Sequence, residues 1–244
     1  MIPSCTWDAG MRGAGGTPPK DFSKAGRIEL VASRSWKLTS PTTSPLTGQL
    51  VKWGNSCGSD GIYSVVNNAG IGFGSNDLRT VLNVNTRGVK RVCAALIPLL
   101  ADGGRIVNIT SAAGPNFVST CSLEEQAFFT NPEVTWSEIE ALMEECLTIA
   151  DNSEAFASRG LDNGSPYGLS NASANAHTIH VAREYPQFVV TACTPGFIAT
   201  DLTLRYLDQR GKRPEEMGMK TPREGANSAI FLLLKSPQGS GHYY

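Results

Sequence analysis

The chain has 244 residues, of which 41% are hydrophobic and 18% are charged, and 21 basic against 22 acidic residues leave a net charge of −1. This balance argues against nucleic acid or an anionic membrane surface as a partner, because both attract an excess of basic residues, and the sequence has no apolar run of about 18 residues that could span a membrane. We therefore expect a soluble, cytoplasmic protein, and the length suits one domain.

The cysteines favour free, buried thiols over a metal site. They stand at positions 5, 57, 93, 121, 146 and 193, with no C-x-x-C pair, and the sequence has three histidines. Zinc sites need closely spaced ligand pairs, so we expect no metal. Cys93 and Cys146 fall on apolar helical faces and Cys193 ends an apolar strand, as buried thiols in a reducing compartment do.

The first 62 residues carry little recognisable structure. A strand is predicted over 27–34, whereas 35–47 contains seven Ser or Thr and two Pro, which is typical of a loop. Pro18 and Pro19 break any helix that follows the glycine clusters before them. We interpret residues 1–62 as a diverged or partly disordered N-terminal part of the domain.

From residue 63 onward, strand-like and helix-like segments alternate. Short β-branched runs predict strands over 63–67, 105–110 and 188–193, the second of them after a turn at 102–104. Apolar spacing and capping signals predict helices over 77–100, 136–150, 166–184 and 222–234. Buried strands alternating with helices indicate an α/β fold, with a doubly wound, mostly parallel sheet in three layers and an incomplete N-terminal side.

Polar clusters follow three of the predicted strands, at the edge where parallel sheets bind ligands. They are Asn68-Ala69-Gly70, Thr110-Ser111 and Thr194-Pro195-Gly196. Each also has a plain explanation as a turn or a helix cap. Tyr167 stands in the first turn of a predicted helix, where an aromatic ring is often only packing, although a phenol can donate a proton to a developing alkoxide.

Taken together, these motifs resemble the short-chain dehydrogenase/reductase family over about residues 65–236. The matching segments are NNAG at 67–70, Asn85 within LNVN, NITS ending at Ser111, Tyr167, and PGFIATD at 195–201. The long interval between Ser111 and Tyr167, which holds the predicted helix 136–150, resembles the monomeric carbonyl-reductase branch. The resemblance implies a Rossmann-like domain over 1–244, with the reductase core at 63–236, and a monomer that reduces small-molecule ketones, aldehydes or quinones with NADPH.

The resemblance also assigns roles to individual residues. Tyr167 would donate the proton to the carbonyl oxygen, Ser111 would polarise that oxygen, and Asn85 would hold a water in a proton relay. The residues that would contact NADP(H) are Asn68, Ala69 and Gly70 beside the adenosine, Tyr167, and Pro195, Gly196, Ile198 and Thr200 around the nicotinamide.

Two positions depart from the family pattern. The family has a lysine four residues after the tyrosine, where it binds the nicotinamide ribose and lowers the tyrosine pKa; here that residue is Asn171. A neighbouring cation shifts a pKa by about 1–3 units, so we expect a catalytic loss of at least tens of fold. The glycine-rich cofactor loop is degenerate as well, since its nearest match at 9–15 begins with Ala9, although Arg34 stands where NADP-preferring members place an arginine.

These departures leave alternatives open. The chain is either an active reductase or a catalytically silent relative that binds a small molecule or a protein. A third possibility is that the first 60 or so residues do not represent a functional gene product.

Overall fold

The computed structural model describes residues 28–31, 61–72, 77–208, 211, 213–235 and 237–244. The glycine-rich segment 9–15, Arg34 and the loop predicted at 35–47 lie outside these residues. What the sequence predicts for them therefore stays a prediction.

The described strands form one parallel sheet whose order follows the chain. They are β1 (Ile28–Val31), β2 (Ile62–Asn67), β3 (Leu100–Ile109), β4 (Val189–Cys193) and β5 (His242–Tyr243). The strands predicted at 63–67, 105–110 and 188–193 are thereby confirmed, although β3 begins earlier, at Leu100. β1 confirms the middle of the strand predicted at 27–34, whose other residues lie outside the described ranges. Because all five run the same way, their carboxyl ends meet along one edge of the sheet.

Helices cover both faces of this sheet. They are α1 (Leu78–Asn85), α2 (Arg87–Leu96), α3 (Ala113–Thr120), α4 (Leu123–Thr130), α5 (Trp136–Thr148), α6 (Ser153–Ser158), α7 (Pro166–Glu184), α8 (Asp201–Asp208) and α9 (Pro222–Leu234). Ile106 and Val190 pack with residues of α2 and α7, whereas Val107 and Cys193 pack against Leu232 of α9. This arrangement confirms the predicted three-layer α/β architecture.

The capping signals read from the sequence define the helix starts. Ser165 Oγ accepts the Gly168 amide at 3.3 Å at the start of α7, with Pro166 as the first helical residue. Thr135 and Thr221 open α5 and α9 through complete capping boxes with the glutamates three residues on. These three helix starts lie where the sequence predicts them.

Two local predictions need correction. The single helix predicted at 77–100 is divided at Thr86, whose backbone (φ −113°, ψ −62°) departs from ideal helix while its Oγ1 donates to Ser170 O at 2.9 Å. The turn predicted at 102–104 lies inside β3 as a bulge, because Ile62 pairs with Leu100 and the next pair is Ser64 with Arg105. Gly103 adopts the left-handed φ of 72° that this bulge requires.

A chain of buried amides and hydroxyls joins the sheet to α7. Asn67 Nδ2 donates to Asn108 Oδ1 at 2.8 Å on the adjacent strand, and Asn108 Nδ2 donates to Thr178 Oγ1 at 2.9 Å. All three side chains are buried. Since an unpaired polar group would be costly here, the chain favours one register between β2, β3 and α7.

The described cysteines are free and buried: Cys93, Cys121, Cys146 and Cys193. Burial raises the pKa of the Cys93 thiol to about 12, which keeps it protonated. Within the described ranges, no helix is long and apolar enough to cross a membrane.

Candidate active site

The polar clusters predicted from the sequence lie at the carboxyl edge of the sheet. β2, β3 and β4 end at Asn67, Ile109 and Cys193, and the Thr110 amide donates to Cys193 O at 2.8 Å. The residues that follow each strand are therefore neighbours. Segments 68–70, 110–111 and 194–196 all belong to this edge.

Tyr167 lies beside Ser111 in the first turn of α7. The ring is partly buried, and this burial raises the pKa of its hydroxyl above the ordinary value of 10.0. Hydrogen bonding with the Ser111 and Asn171 side chains acts in the opposite direction and lowers the pKa. The structure thus brings Ser111, Tyr167 and Asn171 together around one hydroxyl group.

Close packing of α3 against α7 creates this arrangement. A Cβ atom on Gly114 would lie 3.0 Å from the carbonyl carbon of Asn171, and one on Gly168 would lie 2.8 Å from Phe117 Cβ. Both glycines are needed for the two backbones to approach so closely. Ser111, two residues before α3 begins, is consequently held against the start of α7.

Ser111 is also part of the turn that starts α3. Its Oγ accepts the Ala113 amide at 3.2 Å and its carbonyl accepts the Gly114 amide at 2.9 Å. In both bonds an oxygen atom of Ser111 is the acceptor, so the proton of the Ser111 hydroxyl remains available for donation. A helix-start role and a donor role toward a ligand are therefore compatible.

Asn171 fills the place one helical turn after Tyr167. Its side chain is 4% exposed, and Nδ2 donates to the Tyr167 carbonyl at 2.8 Å. An amide brings no charge, and no cation among the described residues contributes to the Tyr167 pKa. The proton on Tyr167 is therefore held more tightly than it would be beside a lysine.

Asn85, at the end of α1, joins the segment after β2 to α7. Its Oδ1 accepts the Ile71 amide at 3.0 Å, and its Nδ2 donates to Ile71 O at 2.9 Å and to Ser170 Oγ at 3.1 Å. Ser170 Oγ in turn donates to the Tyr167 carbonyl at 3.0 Å. Asn85 thus links the segment after β2 to the start of α7 by hydrogen bonds. The relay water that the resemblance implies for Asn85 stays a prediction.

The conformation of the loop after β4 is fixed by Gly196 and by hydrogen bonds with the segment that precedes α9. Gly196 has φ of 87°, and its amide donates to Thr194 Oγ1 at 3.1 Å. Lys220 N donates to Phe197 O at 2.8 Å, and Lys220 O accepts the Ala199 amide at 2.9 Å. This short parallel bridge fixes the loop 195–200 to the segment that precedes α9.

The remaining predicted site residues differ in accessibility. Asn68, Gly70 and Gly196 are exposed, Ala69, Pro195 and Thr200 are partly buried, and Ile198 is buried. A Cβ on Gly70 would lie 3.7 Å from Asn85 Oδ1, which is an ordinary contact distance. The exposed glycines at 70 and 196 therefore leave the edge of the sheet open to a ligand.

Two residues at this edge are not predicted by the sequence. Burial raises the pKa of the Tyr243 hydroxyl of β5, a hydrogen bond with the Thr194 side chain lowers it, and the charge of Tyr167 raises it further. Lys220 contacts the loop 195–200 only because the chain folds back after α8. No local sequence pattern predicts that Tyr243 and Lys220 lie at this edge, since both positions depend on pairing between residues distant in the chain.

Comparison with known proteins agrees with this geometry. A family model described as short chain dehydrogenase matches residues 57–123. Carbonyl reductase (NADPH) 1 of Mus musculus is 29% identical over 195 residues, which cover 74% of this chain and 65% of that protein. The chain is similar to members of the short-chain dehydrogenase/reductase family.

A second carbonyl reductase shows similar overlap with this chain. The carbonyl reductase (NADPH) 1 of Homo sapiens is 27% identical over 194 residues, covering 74% of this chain and 65% of the relative. The chain thus spans slightly less than two thirds of the length of these reductases. This likeness confirms the predicted resemblance to the short-chain dehydrogenase/reductase family and to its carbonyl-reductase branch.

Solved structures support the fold alone. Salutaridine reductase from Papaver somniferum superposes with a TM-score of 0.64 at 22% identity, covering 82% of this chain and 78% of that one. Menthone neomenthol reductase from Mentha piperita gives 0.57 at 21% identity, covering 80% and 74%. The predicted Rossmann-like architecture is confirmed.

Proposed function

We propose that the protein is an oxidoreductase that reduces the carbonyl group of a small ketone, aldehyde or quinone to an alcohol, with NADPH as the hydride donor. The observation that carries this proposal is the convergence of Ser111 and Asn171 on the Tyr167 hydroxyl at the carboxyl edge of the sheet. The family and the names of its carbonyl reductase relatives support it.

The chain's own residues supply acid catalysis. The hydride would be supplied by a nicotinamide cofactor when one is bound. The Tyr167 hydroxyl is protonated at neutral pH, as an ordinary phenol is, and burial raises its pKa further. It gives that proton to the substrate oxygen. Ser111 Oγ donates a hydrogen bond to the same oxygen and stabilises the charge that develops on it. The Tyr167 phenolate left behind regains a proton from solvent.

The open edge of the sheet fits a dinucleotide. Exposed Gly70 and Gly196 allow close backbone approach, buried Ile198 offers an apolar surface, and Thr200 adds a hydroxyl. Asn68, Ala69 and Gly70 would border the adenosine side, and Pro195 would line the nicotinamide with its loop. We assign the preference for NADPH over NADH to Arg34 as the partner of the 2′-phosphate.

We further propose a single domain over 1–244, with a diverged part at 1–62 and a reductase core at 63–236, acting as a cytoplasmic monomer. The packing of α5 onto α7 supports the monomer, because Ile139 and Met143 of α5 are fully buried in one cluster with Leu169 of α7.

A second function, silent binding of a small molecule or a protein, is favoured specifically by the neutral Asn171.

Replacing Tyr167 with phenylalanine distinguishes these functions. We expect kcat for NADPH-dependent carbonyl reduction to fall by about 100-fold or more, because the proton donor is lost. The Kd for NADPH should change by less than about threefold, since one neutral hydrogen bond contributes little net affinity. Stopped-flow kinetics and NADPH fluorescence titration measure the two quantities.

The matched control is Tyr185→Phe, which removes a hydroxyl at the opposite end of α7. It should leave kcat unchanged. Equal rates for Tyr167→Phe and the wild type would exclude Tyr167 as the acid and favour another mechanism.

A further inference from the structure

Lys220 is held in place against the loop 195–200 before α9 begins. Its amide donates to Phe197 O at 2.8 Å and its carbonyl accepts the Ala199 amide at 2.9 Å, so its Cα is fixed opposite Ile198. A residue with both backbone groups paired has little freedom of backbone position. The side chain therefore starts from a defined point beside the predicted nicotinamide loop.

The Lys220 ammonium is directed over the turn at Gly196. Nζ lies 3.9 Å from the point where a Cβ on Gly196 would stand, although the lysine as a whole is exposed. Gly196 itself is exposed and has a left-handed φ of 87°. A positive charge and an open backbone turn thus share the same part of the sheet edge.

This charge has no ion-pair partner within the ranges that the structure describes. The carboxylate of Glu224 is already hydrogen-bonded, because its Oε2 accepts from the Thr221 amide and hydroxyl at 2.8 Å each. These bonds, and to a smaller extent the Lys220 charge, lower the pKa of Glu224. Lys220 also stands just before the N-terminus of α9, where the helix dipole disfavours a cation. Helix stability therefore does not account for a lysine at this position.

We propose that the Lys220 ammonium, which lies beside the Gly196 turn, binds the phosphate group of the dinucleotide cofactor that is nearest to the nicotinamide. The inference rests on the proposed function, because it assigns one ligand contact in that same site. The predicted site otherwise presents neutral groups, namely Ser111, Tyr167 and Asn171. A dinucleotide carries several phosphate charges, and an ammonium beside an open glycine turn is a suitable partner for one of them.

The test is NADPH binding to Lys220→Met, measured by fluorescence titration and by calorimetry without substrate. We expect the Kd to rise about 5- to 10-fold at low ionic strength and to rise less in high salt, because added ions screen an exposed pair. Lys220→Arg keeps the charge and should bind within about twofold of the wild type. The matched control is Lys235→Met, at the opposite end of α9, and it should not change the Kd.

An unchanged Kd for Lys220→Met, with wild-type binding intact, would overturn the Lys220 contact and leave the reductase proposal standing. A rise of equal size in Lys235→Met would also overturn it, because the effect would then be one of general charge. Failure of the wild type to bind NADPH would overturn the proposed function, and the Lys220 contact with it.

Discussion

Replacing Asn171 with lysine is expected to raise kcat for carbonyl reduction at least tenfold. A cation one helical turn from Tyr167 would lower the pKa of its hydroxyl by about 1–3 units and make it a stronger acid. The wild-type site has no such cation among its described residues, and burial holds the Tyr167 pKa above 10.0. Steady-state kinetics with NADPH and one quinone substrate measure the change.

Asn171→Met is the matched control for this substitution. Methionine is similar in length to the lysine stem but carries no charge, so it should leave kcat at or below the wild-type value. Because Asn171 is buried, both variants should be compared at equal folded fraction, checked by circular dichroism. Equal kcat values for Asn171→Lys and Asn171→Met would contradict the electrostatic explanation.

The same substitution should change the pH dependence of the reverse reaction. Alcohol oxidation requires the Tyr167 phenolate to accept a proton, and a raised pKa makes that form scarce at neutral pH. Wild-type oxidation should therefore keep increasing with pH up to and beyond 10. In Asn171→Lys the increase should move to lower pH, because the added cation stabilises the phenolate.

The protein is expected to lose folding stability in acid because of His177 of α7. This side chain is 3% exposed, and neither ring nitrogen has a hydrogen-bond partner among the described residues. Its neighbours are the Trp136 ring of α5 at 5.1 Å and His180 at 5.9 Å, and the Lys90 ammonium of α2 lies 5.6 Å from that tryptophan ring. Burial, followed by the charges of His180 and Lys90, lowers the pKa of His177 to about 3.

The sign of the effect follows from the depressed pKa. In the unfolded chain His177 takes up a proton near pH 6.5, whereas in the folded protein it does so near pH 3. Above pH 6.5, protonation of His177 therefore does not reduce the free energy of unfolding. As the pH drops from 6.5 toward 3, the free energy of unfolding falls by about 1.4 kcal/mol per pH unit. Over the whole interval His177 alone accounts for about 5 kcal/mol of lost stability.

Urea unfolding of His177→Phe measures this loss. Between pH 6.5 and 5 the wild type should lose about 2 kcal/mol more than the variant, since phenylalanine binds no proton. His180→Phe is the control, because His180 is only partly buried and should have a smaller effect. Parallel stability curves for the wild type and His177→Phe would show that His177 does not carry the acid sensitivity.

The elements whose signals are local could be predicted from the sequence. Thr135 with Glu138, Thr221 with Glu224, and Ser165 with Gly168 each place the donor and acceptor of a helix cap within four residues. The position of Asn171 relative to Tyr167 is likewise a matter of helical spacing. For these reasons the helix starts and the neutral neighbour of Tyr167 follow from the residues alone.

The remaining features depend on residues distant in the chain. Asn108 meets Thr178 only because α7 crosses β3, and Lys220 meets Phe197 only because the chain folds back after α8. The division of the predicted helix 77–100 has the same origin, since Thr86 bonds with Ser170 of α7. Tertiary hydrogen bonds override local propensity at these positions.

NADPH titration of the wild-type protein tests the central claim most directly, with thermal unfolding followed at each concentration. The account predicts saturable binding, a rise in Tm as bound cofactor stabilises the folded state, and slow oxidation of NADPH when a ketone or quinone is added. Unchanged NADPH fluorescence and an unchanged Tm at millimolar NADPH would contradict it.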